Sequence, residues 1–165
     1  MPNQPSPRII QARPIDAARF APYGQLLEMP ENGTRQDYAA RLDAAAEGLR
    51  PNLAVVRAGP RAMPLTLEAM ERHPSSSQAF MPLSAARYLV LVCPSRPDGA
   101  PDLDRLDAFI CDGNQAINYD RGTWHHGMTT LDEPGTFAMF MWDEGAERDT
   151  EWSRVTLPIQ VTPAA

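Results

Sequence analysis

Apolar residues along this chain come in short runs, most of them alternating with polar ones, and each run is closed by Pro, Gly, Asp or Asn. From Leu53 onward the runs are LAVVRAG, SQAFMPL, RYLVLVCP, LDAFICD, QAINYD, WHHGMTTL, GTFAMFMWDE and WSRVTLPIQV. A period of two puts successive side chains on opposite faces of a strand, and β-branched and aromatic residues pack well on a pleated surface, so each run predicts a strand. RIIQARP and QLLEM near the N-terminus predict two more. Between them, IDAARFAPYG carries Asp16 where an N-cap belongs and Gly24 just past the last apolar position, which predicts a two-turn helix stopped by its glycine. PENGTRQD reads as a loop around an Asn-Gly turn, and RPDGAPDLDRL as a polar connector. YAARLDAAAEGLRPN is rich in helix formers, but its alanines supply little apolar area, so it predicts either a short surface helix or an irregular excursion.

Many short strands and tight turns point to a mainly β fold, an antiparallel sandwich or barrel with a few short helices. Seventeen prolines and ten glycines among 165 residues reinforce this, because they break the chain too often for long helices. The length suits one domain spanning residues 1–165, long enough to bury roughly 70% of the surface of its unfolded form. The Pro-rich residues 1–8 are expected to be a flexible arm. No internal repeat or low-complexity linker divides the chain.

The net charge of -6 argues against a nucleic-acid partner, since phosphate binding draws on clustered positive charge and no basic run is present. All fifteen basic residues are arginine. That removes Schiff-base and P-loop lysines, so a fixed positive charge in a site comes from Arg, protonated His, the N-terminus or a metal. Cys93 and Cys111 each end an apolar run and are expected to be reduced core thiols. MPNQPSPRII has no apolar leader core, and no segment approaches eighteen apolar residues, so neither a membrane nor secretion is expected and the cytoplasm is the default.

Two of the three histidines are adjacent in YDRGTWHHGM, and on a strand only one of His125 and His126 can face a given cavity. The third, His73, lies in MERHPSSSQAF, two residues after Glu71, so that on a strand carboxylate and imidazole share a face. Glu71, His73 and Gln78 resemble the first metal motif of the cupin barrels, His-x-His, a short loop, then Glu. Gly122 and His125 match the Gly-x-x-His that closes the second. The resemblance selects His125 as the inward imidazole and His126 as its outward neighbour. Two of the four ligand positions are substituted, and Gln is a weaker, neutral ligand. The four residues Glu71, His73, Gln78 and His125 therefore either bind a divalent metal or form a metal-free acid–base cluster, with no organic cofactor.

From ARFAPYG, through NGT, VVRAGP, MPLTLEAMERHPSSSQAFMPL and DAFICDGNQAINYDRGTWHHGM, to FMW, the chain resembles the ureidoglycolate lyases of allantoin degradation over roughly residues 10 to 145. The resemblance implies a cupin-like β-barrel (double-stranded β-helix), a homodimer, and cleavage of ureidoglycolate into glyoxylate and urea in purine catabolism. One segment departs from the pattern. After Asn-Gly-Thr such enzymes often carry a basic residue, an aromatic and a histidine, where Asp37, Tyr38 and Ala39 stand here; Arg35 is the candidate to replace the lost charge.

The small carboxylate substrate wants a planar bidentate partner, which Arg supplies. Arg57, after a mostly apolar run, and Arg121, four residues before His125, are the candidates. Tyr119, Trp124 and the outward His126 are candidate pocket walls, and the backbone around Asn32 a candidate anion contact. Two other readings use the same residues. Glu71, His73 and His125 also compose the two-histidine, one-carboxylate face of a non-haem metal oxygenase, and a barrel that has lost its chemistry would bind a small carboxylate without turning it over.

Overall fold

The computed structural model describes residues 6–38, 41–45 and 47–164. Residues 1–5 of the expected arm, and Ala39, lie outside that set. In chain order the elements are β1 (Arg8–Pro14), α1 (Ala17–Phe20), β2 (Gly24–Glu28), β3 (Arg50–Ala58), β4 (Leu65–Thr66), β5 (Ala69–Arg72), β6 (Gln78–Ser84), β7 (Arg87–Cys93), β8 (Asp107–Asp112), β9 (Gln115–Tyr119), β10 (Trp124–His125), β11 (Thr129–Thr130), β12 (Gly135–Asp143), β13 (Glu151–Arg154) and β14 (Ile159–Pro163). Short 3-10 turns at Leu103–Arg105 and Glu147–Asp149 complete them.

The fold is mainly β, as the alternating runs predict. Two curled sheets face each other as a half-barrel: five strands in the order β2-β9-β6-β12-β3, and nine in the order β13-β5-β10-β7-β8-β1-β14-β4, with β11 added beside β7. Pairing is antiparallel except at β1, which runs parallel to both β8 and β14. Between the sheets lies a core of Phe20, Tyr88, Phe109, Ile117 and Phe137. Behind the nine-stranded sheet a second core, with Met70, Leu89, Leu91, Trp124, Ile159 and Val161, forms where β14 and β4 fold back over β7. This explains the unbroken apolar run of β7: even positions enter one core, odd positions the other, and a strand buried on both faces has no polar side to show.

Two sequence expectations change. Asp16 does cap α1, its carboxylate accepting from the Arg19 amide at 2.9 Å, but the helix is one turn, Ala17–Phe20. Gly24 does not end it. It opens β2, where a Cβ would collide with the carbonyl oxygen of Asn118, so glycine is required for the close approach of β2 to β9. The alanine-rich excursion contains no helix among its described residues: Ala44 bridges to Ser76, and its last three residues, Arg50, Pro51 and Asn52, already belong to β3. Both cysteines are buried free thiols, as expected. No helix of the described residues is long and apolar enough to cross a membrane.

Candidate active site

Strand register aligns two rows of side chains across one end of the central core. In the nine-stranded sheet Trp152, Glu71, His125 and Val92 stand opposite one another on β13, β5, β10 and β7. In the five-stranded sheet Tyr119, Gln78, Met141 and Asn52 do the same on β9, β6, β12 and β3. The rows meet where the Tyr119 ring stacks on His125, centroids 4.2 Å apart and planes 14° from parallel. His73, just past the end of β5, brings its ring to 5.4 Å from that of His125. Barrel closure thus unites His73 and His125, 52 positions apart in the chain. His73 and His125 are both buried.

Both imidazoles have their orientation and tautomer fixed from behind. His73 Nδ1 lies 3.0 Å from the Asp149 carbonyl oxygen, with the Thr150 hydroxyl 3.3 Å away. His125 Nδ1 lies 2.9 Å from the Thr123 carbonyl oxygen. A carbonyl only accepts, so each Nδ1 carries a hydrogen and each Nε2 faces inward, a lone pair when the ring is neutral and a donor when it is protonated. The turn that supplies Thr123 depends on Gly122, whose φ of 77° is left-handed and whose amide donates to the His73 carbonyl at 3.0 Å. The glycine therefore ties the two histidine segments together.

Into the same space projects the Glu71 carboxylate, with Oε1 3.5 Å from His125 Nε2. One ligand atom from each of Glu71, His73 and His125 falls within 4.8 Å of the others. Among the described residues, His73 Nε2 and the Gln78 carbonyl oxygen, both buried, have no hydrogen-bond partner, and the Gln78 amide reaches only the Met141 sulfur, at 3.7 Å. With neutral rings, acceptors converge here without a donor among the described residues, the arrangement that binds a cation or shares a proton, and a carbonyl behind the other ring nitrogen is how metal-ligating histidines are oriented. The residues present therefore fit a divalent metal, with Glu71, His73 and His125 as ligands and Gln78 beside them.

Electrostatics agree with this. Burial pushes the Glu71 carboxyl up, but His125, whose Nε2 stands 3.5 Å away, and the neighbouring imidazoles outweigh it and hold the group below its ordinary value. Burial, reinforced by His125, holds His73 below the ordinary imidazole value against the opposing pull of the Asp149 carbonyl and Glu71. His126 is also held low, by burial first, with the Arg61 charge contributing.

The other residues singled out from the sequence are scattered. Arg57 is on β3, whose inward positions are Asn52, Ala54 and Val56, so alternation turns its side chain to the outer face, where it touches Thr136 Oγ1 at 3.4 Å. Trp124 precedes His125 and so faces the second core, its indole donating to the Gly99 carbonyl at 3.0 Å beneath the Arg72 guanidinium. Neither walls the space around Glu71. Arg121 is exposed in the turn before β10, where the adjacent Asp120 pairs with Arg41. Asn32 is in an exposed loop, and Arg35 is neutralised by Asp37 at 2.8 Å. His126 is half-buried, with Nδ1 unpartnered among the described residues. Tyr119 does reach the site. Sequence reasoning missed Asp149 and Thr123, whose contribution is a backbone carbonyl and carries no side-chain signal, and Trp152, whose alternating run EWSR offered one.

A chain from Mesorhizobium japonicum named ureidoglycolate lyase is 41% identical over 138 residues, covering 78% of this chain and 82% of that one. Another of that name, from Chelativorans sp., is 38% identical over 149 residues, covering 85% and 87%. The crystal structure of a dTDP sugar isomerase from Desulfovibrio desulfuricans G20 superposes with a TM-score of 0.49 at 17% identity, covering 81% of this chain and 82% of that one. The sequence profile of ureidoglycolate lyases matches residues 7–162, a span that takes in both sheets and every residue converging on Glu71, and the chain belongs to the ureidoglycolate lyase family.

Proposed function

We propose that this chain splits ureidoglycolate into glyoxylate and urea at the Glu71, His73, His125 centre. The observation that carries the reading is the pair of inward Nε2 atoms, each with its Nδ1 held by a backbone carbonyl, beside an ionised Glu71. Ureidoglycolate is a carbinolamine whose cleavage removes a proton from the hydroxyl, turns that oxygen into an aldehyde, and delivers a proton to the departing urea nitrogen. His73, kept neutral by burial, accepts the hydroxyl proton at Nε2. The Glu71 carboxylate, 3.5 Å from His125 Nε2, holds a proton on that nitrogen for delivery to the urea nitrogen, and Tyr119 keeps the ring in plane. The alternative use of the same atoms is as ligands: a divalent metal held by Glu71, His73 and His125 would supply Lewis-acid polarisation of the hydroxyl and carboxylate oxygens in place of these proton transfers at Nε2.

The test is incubation of metal-analysed protein with racemic ureidoglycolate while glyoxylate, urea and ammonia are followed. Urea and glyoxylate in equal amounts without ammonia are expected; ammonia in place of urea means amide hydrolysis and overturns the assignment. We further propose a homodimer through the outer face of the five-stranded sheet, where Leu53, Val55, Met81 and Leu83 are between 49% and 75% exposed, an apolar cluster of the kind that marks an interface. Sedimentation equilibrium should give twice the chain mass, and Val55→Glu should halve it.

A further inference from the structure

The catalytic row continues past Glu71 onto β13, the edge strand of the nine-stranded sheet. Trp152 is the direct cross-strand partner of Glu71, so its side chain shares that face, with Cβ atoms about 5 Å apart. The opposite face of β13 is accounted for: Glu151 pairs with Arg72 at 2.7 Å, and Ser153 stands opposite the buried Met70. Trp152 is nevertheless 67% exposed, a large indole left on the rim of a polar centre. Two residues on, Arg154 occupies the same face opposite Ala69; it is exposed and makes no hydrogen bond or ion pair among the described residues. A depression of about 600 Å³ runs along this edge, lined by Glu68, Ala69, Trp152, Ser153, Arg154 and Val155.

We propose that Trp152 and Arg154 form the substrate-recognition edge of the site, Arg154 binding the carboxylate and the Trp152 indole receiving the planar ureido group. The assignment rests on the ureidoglycolate reading above. It follows from chemistry as well as position. A ureido plane is amide-like and stacks on an indole face, a carboxylate takes the guanidinium fork, and Glu68 in the same depression suits the ligand's N–H donors rather than its carboxylate. Held at both ends, the ligand lies on the sheet face that Trp152 shares with Glu71 and His125. The role looked for in Arg57 and Arg121 thus falls to an arginine on the strand beside Glu71.

Oxalurate is the probe, since it has the same carboxylate and ureido groups on a carbonyl carbon that cannot undergo the elimination. In the full-length protein, titration with oxalurate should quench tryptophan fluorescence; Trp152→Phe should bind similarly but lose the quench. Trp152→Ala should weaken binding about fivefold and Arg154→Gln about tenfold or more, with thermal midpoints unchanged because both side chains are exposed. Glyoxylate, lacking the ureido group, should lose affinity in Arg154→Gln and keep it in Trp152→Ala. Wild type that does not bind oxalurate, variants that bind it as wild type does, or a quench persisting in Trp152→Phe would each overturn the proposal. Oxalurate binding through these residues without urea release from ureidoglycolate would overturn the reaction but not the recognition edge; urea release with both variants unimpaired would do the reverse.

Discussion

Replacing His125 with alanine separates chemistry from folding. The substitution removes a buried ring stacked on Tyr119, strips the Thr123 carbonyl of its donor and leaves Glu71 without its closest partner. The lost stack is worth about 0.5–1.5 kcal/mol, and the unpaired buried carbonyl about 1–3 kcal/mol. Together the cost is roughly 1.5–4.5 kcal/mol, a fall in Tm on the order of 3–18 °C at this chain length. Native domains hold about 5–15 kcal/mol, so even the least stable case keeps about 0.5 kcal/mol and roughly two-thirds of the molecules folded. Unfolding therefore costs activity less than about twofold. Loss of acid–base help at His125 costs about 10²–10⁴-fold. The assay is kcat for urea release from ureidoglycolate at 25 °C, with near-ultraviolet circular dichroism on the same sample. At least a hundredfold loss in folded protein is expected; a folded variant with kcat within threefold of wild type would remove His125 from the mechanism.

His73 gives a pH prediction. Its native pKa is held below the ordinary 6.5, so between that value and its native one the unfolded chain binds the proton more readily. Stability from this group is present above about pH 6.5 and is lost as pH falls through that window; chemical denaturation at pH 7.5, 6.5 and 5.5 should give falling ΔG, less steeply in His73→Gln. The acidic limb of kcat/KM should likewise have its midpoint below pH 6.5, and a midpoint above 7 contradicts a buried neutral base. Gly24→Ala should lower Tm by at least 5 °C, because β9 backbone occupies the space; an unchanged Tm would mean that β2 can move away freely. Removing bound metal with a chelator and restoring a divalent ion at a hundred times its Kd should raise stability by about 2.7 kcal/mol if the ion binds only the folded chain; no shift in wild type, or an equal shift in Glu71→Ala, would remove the cation site. Turnover under argon should match turnover in air, since elimination consumes no oxygen; oxygen-dependent turnover would favour the oxygenase reading of the same three residues.

Strands were legible wherever one periodicity dominated. The runs at β1, β3, β6, β7, β8, β9 and β12 were readable because alternation or an unbroken apolar stretch follows directly from which faces are buried. The two-residue strands β4, β10 and β11 could not be delimited, since two residues carry no period. Gly24 was misread for an instructive reason: glycine after an apolar residue suits a helix end and a tight strand approach equally, and the deciding atom, the Asn118 carbonyl, is over ninety positions away. Arg57 shows the same limit. Its strand was readable, but which side of β3 faced the core depended on its pairing with β12.

What the sequence by itself determined was local and chemical: a mainly β chain, reduced buried thiols, no lysine chemistry, and imidazoles at His73 and His125 with Glu71 and Gln78 close by. Those follow from side-chain type and short-range period, which every residue carries wherever it ends up. The tertiary structure alone decided that Glu71 and His125 stand opposite each other, that backbone carbonyls of Thr123 and Asp149 turn both Nε2 atoms inward, and that Trp152 rather than Trp124 lies on their face. These are matters of register between distant strands, and a shift of one residue would reverse every one of them.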